Sequence, residues 1–130
     1  LDFDGTCVAN EYPFVGEDIG AQQVLHDLVS NGHKLILFTM RSEINYLDDA
    51  VAWFKEQDIP LYGVQSHPEQ KSWTASPKAY GELIIDDTML GAKLVDGRYL
   101  NWQWTAEALC AQGLITPAQL AAYDFSLYVF

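Results

Sequence analysis

The stretch Leu35-Ile36-Leu37-Phe38 is the clearest indication of the fold, because it is apolar at every position. A strand that is exposed on one face alternates apolar and polar residues, whereas a strand covered on both faces of a parallel sheet is apolar throughout. We therefore predict a buried strand over residues 34–40. Helices are expected to cover both of its faces.

Helices and a further strand alternate with this strand along the chain. Before it, apolar positions at helical spacing predict a helix over residues 19–31, with Asp18 as its N-cap and Gly32 at its C-terminal end. After it, we predict a helix over residues 47–57 and a short strand over residues 61–64. This alternation is typical of a parallel sheet built from right-handed crossovers.

Two shorter apolar stretches complete the predicted sheet. Leu1-Asp2-Phe3 has the composition of the C-terminal end of a first strand, and Leu83-Ile84-Ile85 predicts a fourth strand. The sequence therefore indicates a three-layer α/β domain with a central parallel sheet. Because the first stretch is short for a buried strand and lacks a methionine, we expect a preceding segment that completed it.

Length and composition fit one globular domain. The chain has 130 residues, of which 49% are hydrophobic and 19% charged, and domains of roughly this size form one core. We predict a single domain over residues 1–130, with a motif-bearing core over 1–97 and an aromatic, helical segment over 98–130. Within that segment we expect a helix over 105–112 and another starting at Thr116-Pro117.

Charge and cysteine content restrict the partners and the compartment. Seven basic and 18 acidic residues give a net charge of −11, which disfavours nucleic acid and anionic membranes and favours a cation-dependent site. No apolar run reaches the roughly 20 residues that span a bilayer, and no leader precedes the first motif. Cys7 and Cys110 lie far apart, so we expect reduced thiols and a cytoplasmic protein.

Polar side chains follow three of the predicted strands, at the point where each strand ends. In chain order they are Asp2 and Asp4, then Thr39 and Arg41, then Asp86 and Asp87. Ligands of parallel α/β sheets bind outside the C-terminal ends of the strands. We therefore expect these side chains to converge on one site.

The acidic residues of this set suit magnesium-assisted phosphoryl transfer. Asp2 and Asp86 can ligate Mg²⁺, which prefers oxygen ligands, and the main-chain carbonyl of Asp4 can add a third protein ligand. Asp2 can attack phosphorus to form an aspartyl-phosphate, while Asp4 protonates the leaving group. Gly5 allows a close approach of the backbone, and the Thr6 hydroxyl can hold the turn.

The charge on the transferred phosphoryl group also needs partners. The Thr39 hydroxyl, nearby backbone N–H groups and the Lys78 cation can supply them. Lys71 lies in the same stretch and can take the place of Lys78. We expect Asp87 to orient a metal-bound water.

Arg41 leaves two interpretations open. Just beyond the predicted strand, its guanidinium can bind a second substrate anion with two parallel hydrogen bonds. It can equally form a surface ion pair with Asp48 or Glu43.

The motifs resemble those of the haloacid dehalogenase-like superfamily of aspartate-nucleophile phosphohydrolases. Asp2-Phe3-Asp4-Gly5-Thr6 is similar to its first motif, Thr39 to its second, Lys78 to its third and Asp86-Asp87 to its fourth, in the same order. The resemblance implies Asp2 as nucleophile, Asp4 as general acid and base, and Thr39 and Lys78 as phosphate ligands. It also implies magnesium ligation by Asp2, Asp4 and Asp86, within a Rossmann-like domain.

The same resemblance bears on the substrate. The segments between the motifs are too short for an inserted cap domain, so the chain is similar to small capless members of the superfamily. We expect a phosphorylated small molecule as substrate, and an open site also admits a macromolecular phosphate. A homo-oligomer is possible through aromatic residues of the C-terminal segment, although packing within the chain is another use for them; these residues are Trp102, Trp104, Tyr123, Phe125 and Phe130.

Two rival functions remain open from the sequence. One is a receiver-like domain that a partner phosphorylates on aspartate, although receivers place the acceptor aspartate on a later strand than the acidic pair. The other is a phosphate-binding or regulatory domain of the same fold that lacks activity.

Overall fold

Two short parallel strands, β1 (Ile36–Leu37) and β2 (Gly63–Val64), form a small sheet in which Ile36 pairs with Gly63 and Leu37 with Val64. The computed structural model describes residues 1–128. Phe130, and with it the end of the predicted 98–130 segment, lies outside this range. A separate antiparallel hairpin joins β3 (Leu94–Val95) to β4 (Tyr99–Leu100).

Four α-helices accompany the strands in residues 1–128. They are α1 (Ala21–Ser30), α2 (Ile44–Glu56), α3 (Trp102–Ala111) and α4 (Pro117–Ala122), and a 3-10 turn spans Gln70–Ser72. The described chain is therefore mixed α/β, with a small parallel sheet. None of its helices is long and apolar enough to cross a membrane.

Backbone hydrogen bonds extend the parallel arrangement beyond the two strands. Leu1 lies beside β1: its amino group donates to the Ile36 carbonyl at 2.9 Å, and Phe38 N donates to the Leu1 carbonyl at 2.8 Å. On the other side, Asp2 N donates to the Ile85 carbonyl at 3.0 Å. The order across the layer is therefore Ile85, the Leu1-Asp2 segment, β1 and β2.

The predictions of strands over residues 1–3 and 83–85 are wrong, because neither stretch is a strand in the structure. A strand requires a repeating ladder of hydrogen bonds, and the Asp2–Ile85 bond does not repeat. The predicted 34–40 strand is likewise reduced to two residues. A groove of about 540 Å³ lies between residues 32–36 and 79–85, and it leaves Leu83 and Ile84 exposed by 42% and 51%.

Most helix predictions are confirmed, with shifted boundaries. Gly20 occupies the N-cap position of α1 instead of the predicted Asp18, but Asp18 Oδ1 still accepts from the N–H groups of Ala21 and Gln22 at 3.0 and 3.1 Å. α2 starts at Ile44, three residues before the predicted start. Thr116 caps α4, with Pro117 in its first turn.

One core joins the predicted motif-bearing part and the C-terminal segment. Phe3 packs against Trp53 and Phe54 of α2, with ring centroids 5.7 and 5.8 Å apart. Trp102 and Leu109 of α3 are buried in the same cluster. The loop that follows Phe3 is therefore anchored on this shared core.

The C-terminal segment packs on α1. The Tyr123 hydroxyl donates to Asp27 Oδ2 at 2.7 Å, and the Tyr128 hydroxyl donates to Asp18 Oδ2 at 3.2 Å. Tyr123 and Tyr128 thus make contacts within the chain.

Candidate functional site

Three carboxylates meet at the end of the layer. Oxygen atoms of Asp2, Asp86 and Asp87 all lie within 4.8 Å of one another. The hydrogen bond between Asp2 N and the Ile85 carbonyl explains this proximity, because it brings the residues that follow Ile85 next to Asp2. Such a set of oxygen donors fits a hard divalent cation.

Asp2 is electrostatically unfavourable in this cluster when it is ionised. Burial and the neighbouring charge of Asp86 raise the pKa of Asp2 to about 7, although hydrogen bonds from Phe3 N and Thr6 oppose the shift. In the metal-free protein the protonated form of Asp2 is therefore favoured over a wider pH range than for an ordinary aspartate. A bound cation would relieve this repulsion.

The Thr6 hydroxyl connects two members of the cluster. Its Oγ1 lies 3.0 Å from Asp2 Oδ2 and 3.1 Å from Asp87 Oδ1, and it accepts from Asp87 N at 3.0 Å. Since a hydroxyl has one hydrogen, it donates to one carboxylate at a time. Thr6 therefore fixes the distance between Asp2 and Asp87, in addition to the turn-holding role expected from the sequence.

Gly5 allows Asp87 to approach the loop. Its φ is +78°, and a Cβ at this position would lie 2.6 Å from Asp87 Oδ2. Any side chain here would displace the Asp87 carboxylate, besides straining the backbone.

The C-terminal segment holds the other side of this loop. Trp102 Nε1 donates to the Thr6 carbonyl at 2.6 Å, and Leu100 N donates to the Gly5 carbonyl at 2.9 Å. The sequence suggested packing or an oligomer interface for Trp102 and did not single out this hydrogen bond. The available signal was that a buried indole N–H needs an acceptor.

Arg41 is buried and bound to Asp4. Its Nε donates to Asp4 Oδ2 and its Nη2 to Asp4 Oδ1, both at 2.7 Å, while the two side chains are 1% and 15% exposed. This hydrogen-bonded contact with Asp4 raises the pKa of Arg41 above its usual value. Arg41 therefore remains charged and paired.

The remaining donors of Arg41 bind main-chain carbonyls. They donate to Pro13, Phe14 and Tyr46 at 2.9 to 3.2 Å. All five guanidinium N–H groups are thus used. Within residues 1–128, Arg41 is not open to a substrate anion and pairs with neither Asp48 nor Glu43.

The Asp4 carboxylate is therefore bound to Arg41 and is not part of the acidic cluster. The third carboxylate of that cluster comes from Asp87. The sequence predicted Asp2, Asp4 and Asp86 as metal ligands. The main-chain carbonyl of Asp4 accepts no hydrogen bond from a described residue. It is therefore the group through which Asp4 can contribute a ligand.

Thr39 lies at the carboxyl end of β1, one residue beyond Phe38, which binds Leu1. Arg41 N donates to Thr39 Oγ1 at 3.2 Å, so the hydroxyl hydrogen is left for another acceptor. The side chain of Gln65, which the sequence did not single out, binds the Thr39 backbone.

Lys78 and Lys71 are both exposed, and neither forms a salt bridge with Asp2, Asp86 or Asp87 in the described part of the chain. The Lys78 carbonyl accepts from Gln70 Nε2 at 2.6 Å, and Lys78 lines the groove beside residues 79–85. The structure therefore does not bring Lys78 together with the acidic cluster. The choice between the two lysines stays open.

Comparison with known proteins gives one structural likeness. The chain is similar to a conserved protein from Bacteroides thetaiotaomicron whose structure is solved, with 28% sequence identity, a TM-score of 0.70 and coverage of 93% of both chains. No protein-family model and no curated protein matches the chain. The likeness supports the α/β fold over nearly the whole chain.

Proposed function

We propose that this protein is a Mg²⁺-dependent phosphohydrolase that cleaves phosphomonoesters through an aspartyl-phosphate on Asp2. The observation that carries the proposal is the acidic cluster, in which oxygens of Asp2, Asp86 and Asp87 lie within 4.8 Å of one another beside the Gly5-Thr6 turn. Carboxylates this close repel one another, so a cation is the natural partner of the site.

The donor chemistry supports magnesium. Asp2, Asp86 and the Asp4 carbonyl would hold the ion, and Asp87 would orient a water bound to it. When bound, Mg²⁺ would neutralise phosphoryl charge and so permit the approach of a carboxylate to phosphorus.

The proposed reaction has two steps, in which Asp2 acts as the nucleophile and Asp4 transfers protons. An Asp2 oxygen attacks phosphorus, the ester P–O bond breaks, and the leaving alkoxide takes a proton from Asp4. Asp4 then accepts a proton from water as that water attacks phosphorus. The bond between phosphorus and Asp2 breaks, which releases phosphate and restores both side chains.

The phosphate itself would be bound by the Thr39 hydroxyl and by an ammonium group, from Lys78 or Lys71. Thr39 supports this role because its hydroxyl hydrogen has no acceptor among the described residues. A lysine would have to reach the site from the exposed 65–80 loop.

The Asp4–Arg41 pair favours a second candidate function. Proton transfer by Asp4 requires that its carboxyl group leave the two hydrogen bonds to Arg41. If the pair persists, Asp4 cannot serve as acid, and the protein would be an inactive or receiver-like phosphate-binding domain. Trapped aspartyl-phosphate without turnover would identify that case.

The proposed fold is a capless, three-layer Rossmann-like domain of the haloacid dehalogenase-like type. Support comes from the order of Ile85, Leu1-Asp2, β1 and β2, which are joined by parallel pairing and neighbouring hydrogen bonds. A phosphorylated small molecule is the proposed substrate. The free thiols of Cys7 and Cys110 support the cytoplasm as the proposed location.

A phosphatase assay tests the proposal. Purified protein is incubated with para-nitrophenyl phosphate, sugar phosphates and nucleotides, with Mg²⁺ and with a chelator. We expect release that requires Mg²⁺ and is lost in Asp2→Asn. Equal release from wild type and Asp2→Asn, or none from either, would reject it.

A further inference from the structure

Gln65 adopts a backbone conformation that is unusual for its residue type. It directly follows β2 and has φ +64°, in the left-handed region that favours glycine. Its own N–H donates to the Leu37 carbonyl at 2.7 Å, so the residue still pairs with β1. Backbone strain of this kind persists only where surrounding contacts hold it, and it is common at functional sites.

Those contacts come from the Gln65 side chain. Oε1 accepts from Thr39 N at 2.8 Å, and Nε2 donates to the Thr39 carbonyl at 2.6 Å and to the Arg41 carbonyl at 3.0 Å. Both amide hydrogens and the amide oxygen are therefore used. The Gln65 amide thus bonds to both the N–H and the carbonyl of Thr39, as the backbone of a neighbouring strand would.

The segment held in this way is the turn over residues 39–41. Its other end is fixed by the two hydrogen bonds between Arg41 and Asp4 at 2.7 Å. Within the turn, the Thr39 hydroxyl hydrogen and the Met40 N–H have no acceptor among the described residues. These two donors remain for a ligand at the end of β1.

We propose that Gln65 is a positioning residue for the phosphate site: it fixes the 39–41 turn so that the Thr39 hydroxyl and the Met40 N–H face the phosphoryl group. The ligand named here rests on the proposed function. The hydrogen bonds by which Gln65 fixes the 39–41 turn do not depend on the proposed function.

Two substitutions separate positioning from stability. Gln65→Ala removes the three side-chain hydrogen bonds and keeps the unfavourable φ, whereas Gln65→Gly removes the same bonds and relieves the strain. We expect the glycine variant to be the more stable of the two. Both should show an equal rise in KM for para-nitrophenyl phosphate, of about tenfold, with kcat changed much less.

Gln119→Ala is the matched control. The Gln119 side chain also makes three hydrogen bonds, with Asn31 and with Thr116 N, at 2.8 to 2.9 Å. It lies in α4, and its hydrogen bonds within residues 1–128 reach no proposed site residue. Its removal should leave KM unchanged.

Two further measurements do not depend on turnover. Exchange of the Thr39 amide hydrogen, followed by NMR, should be at least about tenfold faster in Gln65→Gly, and affinity for inorganic phosphate should fall by the same factor as KM rises. Unchanged Thr39 exchange, or faster exchange with unaltered phosphate affinity, would overturn the inference. A wild type that binds phosphate without turnover would reject the proposed function only, whereas one that binds no phosphate would reject both.

Discussion

Arg41 binds both carboxylate oxygens of Asp4 at 2.7 Å, with its guanidinium almost wholly buried. The same guanidinium donates to three main-chain carbonyls, those of Pro13 and Phe14 in one loop and that of Tyr46 in the first turn of α2. The pair therefore joins the loop after the first motif to the turn after β1. It also restrains the proposed general acid.

Replacing Arg41 should destabilise the protein strongly. Arg41→Met leaves Asp4 with an unpaired charge and the carbonyls without donors, so the free energy of unfolding should fall by about 3–5 kcal/mol. Arg41→Lys should retain only part of this free energy, because one ammonium group cannot reproduce the hydrogen bonds of the planar guanidinium. Urea unfolding measures both. A change below about 0.5 kcal/mol in Arg41→Lys would contradict the buried fork.

The Asp4–Arg41 contact illustrates what the sequence could not reveal. The residues are 37 positions apart, and nothing local tells whether an arginine after a strand turns outward or inward. Helical periodicity and capping residues, by contrast, are local signals, so α1, α2 and α4 were predicted to within a few residues. The position of Asp2 next to Asp86-Asp87 followed from the strand-end rule, although residues 83–85 form no strand.

Side-chain contacts with main-chain groups were the second class of feature that was missed. Gln65 makes three hydrogen bonds to the backbone of the 39–41 turn, and Trp102 makes one to the Thr6 carbonyl. Such contacts leave no periodic or compositional pattern in a sequence.

Gly5→Ala should weaken the proposed metal site, in addition to straining the backbone. Gly5 and Gly113 have φ of +78° and +77°, but an added Cβ meets Asp87 only at Gly5, and nothing within 4 Å at Gly113. Gly113→Ala should therefore lose about 1–2 kcal/mol of stability through strain alone. Gly5→Ala should lose more, and calorimetry should show weaker Mg²⁺ binding in this variant only. Equal Mg²⁺ affinity in the two variants would contradict the contact with Asp87.

Stability of the metal-free protein should depend on the ionisation of Asp2. With its folded-state pKa raised to about 7, Asp2 keeps its proton in the folded state while the unfolded state ionises. The folded state then binds more protons, so this residue's contribution to stability falls as pH rises from about 4 to about 7.

Asp2→Asn removes the titrating carboxyl group and should therefore not lose stability in this way as pH rises. Its stability relative to wild type should increase between pH 4 and pH 8 by about 1–2 kcal/mol, a value reduced for partial solvent screening. Urea unfolding of chelator-treated samples at the two pH values measures this stability difference. Added Mg²⁺ at pH 8 should stabilise the wild type alone. A pH-independent difference would show that Asp2 titrates normally.

Trp102→Phe should loosen the Gly5-Thr6 turn. The change leaves the buried Thr6 carbonyl without its donor, which costs about 1–3 kcal/mol, and should weaken Mg²⁺ binding through Thr6. Trp53→Phe is the control, because Trp53 is also buried but its indole N–H donates to no described residue. Equal effects of the two substitutions on Mg²⁺ affinity would refute a role for Trp102 in supporting the site.

The proposed mechanism requires that Asp2 become phosphorylated during turnover. Its most direct test is to quench the enzyme with borohydride during reaction with a phosphomonoester and Mg²⁺, which reduces an acyl phosphate to an alcohol, and to map the product by mass spectrometry. We expect homoserine at position 2, in a Mg²⁺-dependent manner, and none in Asp2→Asn. Phosphate release without modification at Asp2, or modification of another carboxylate, would contradict it.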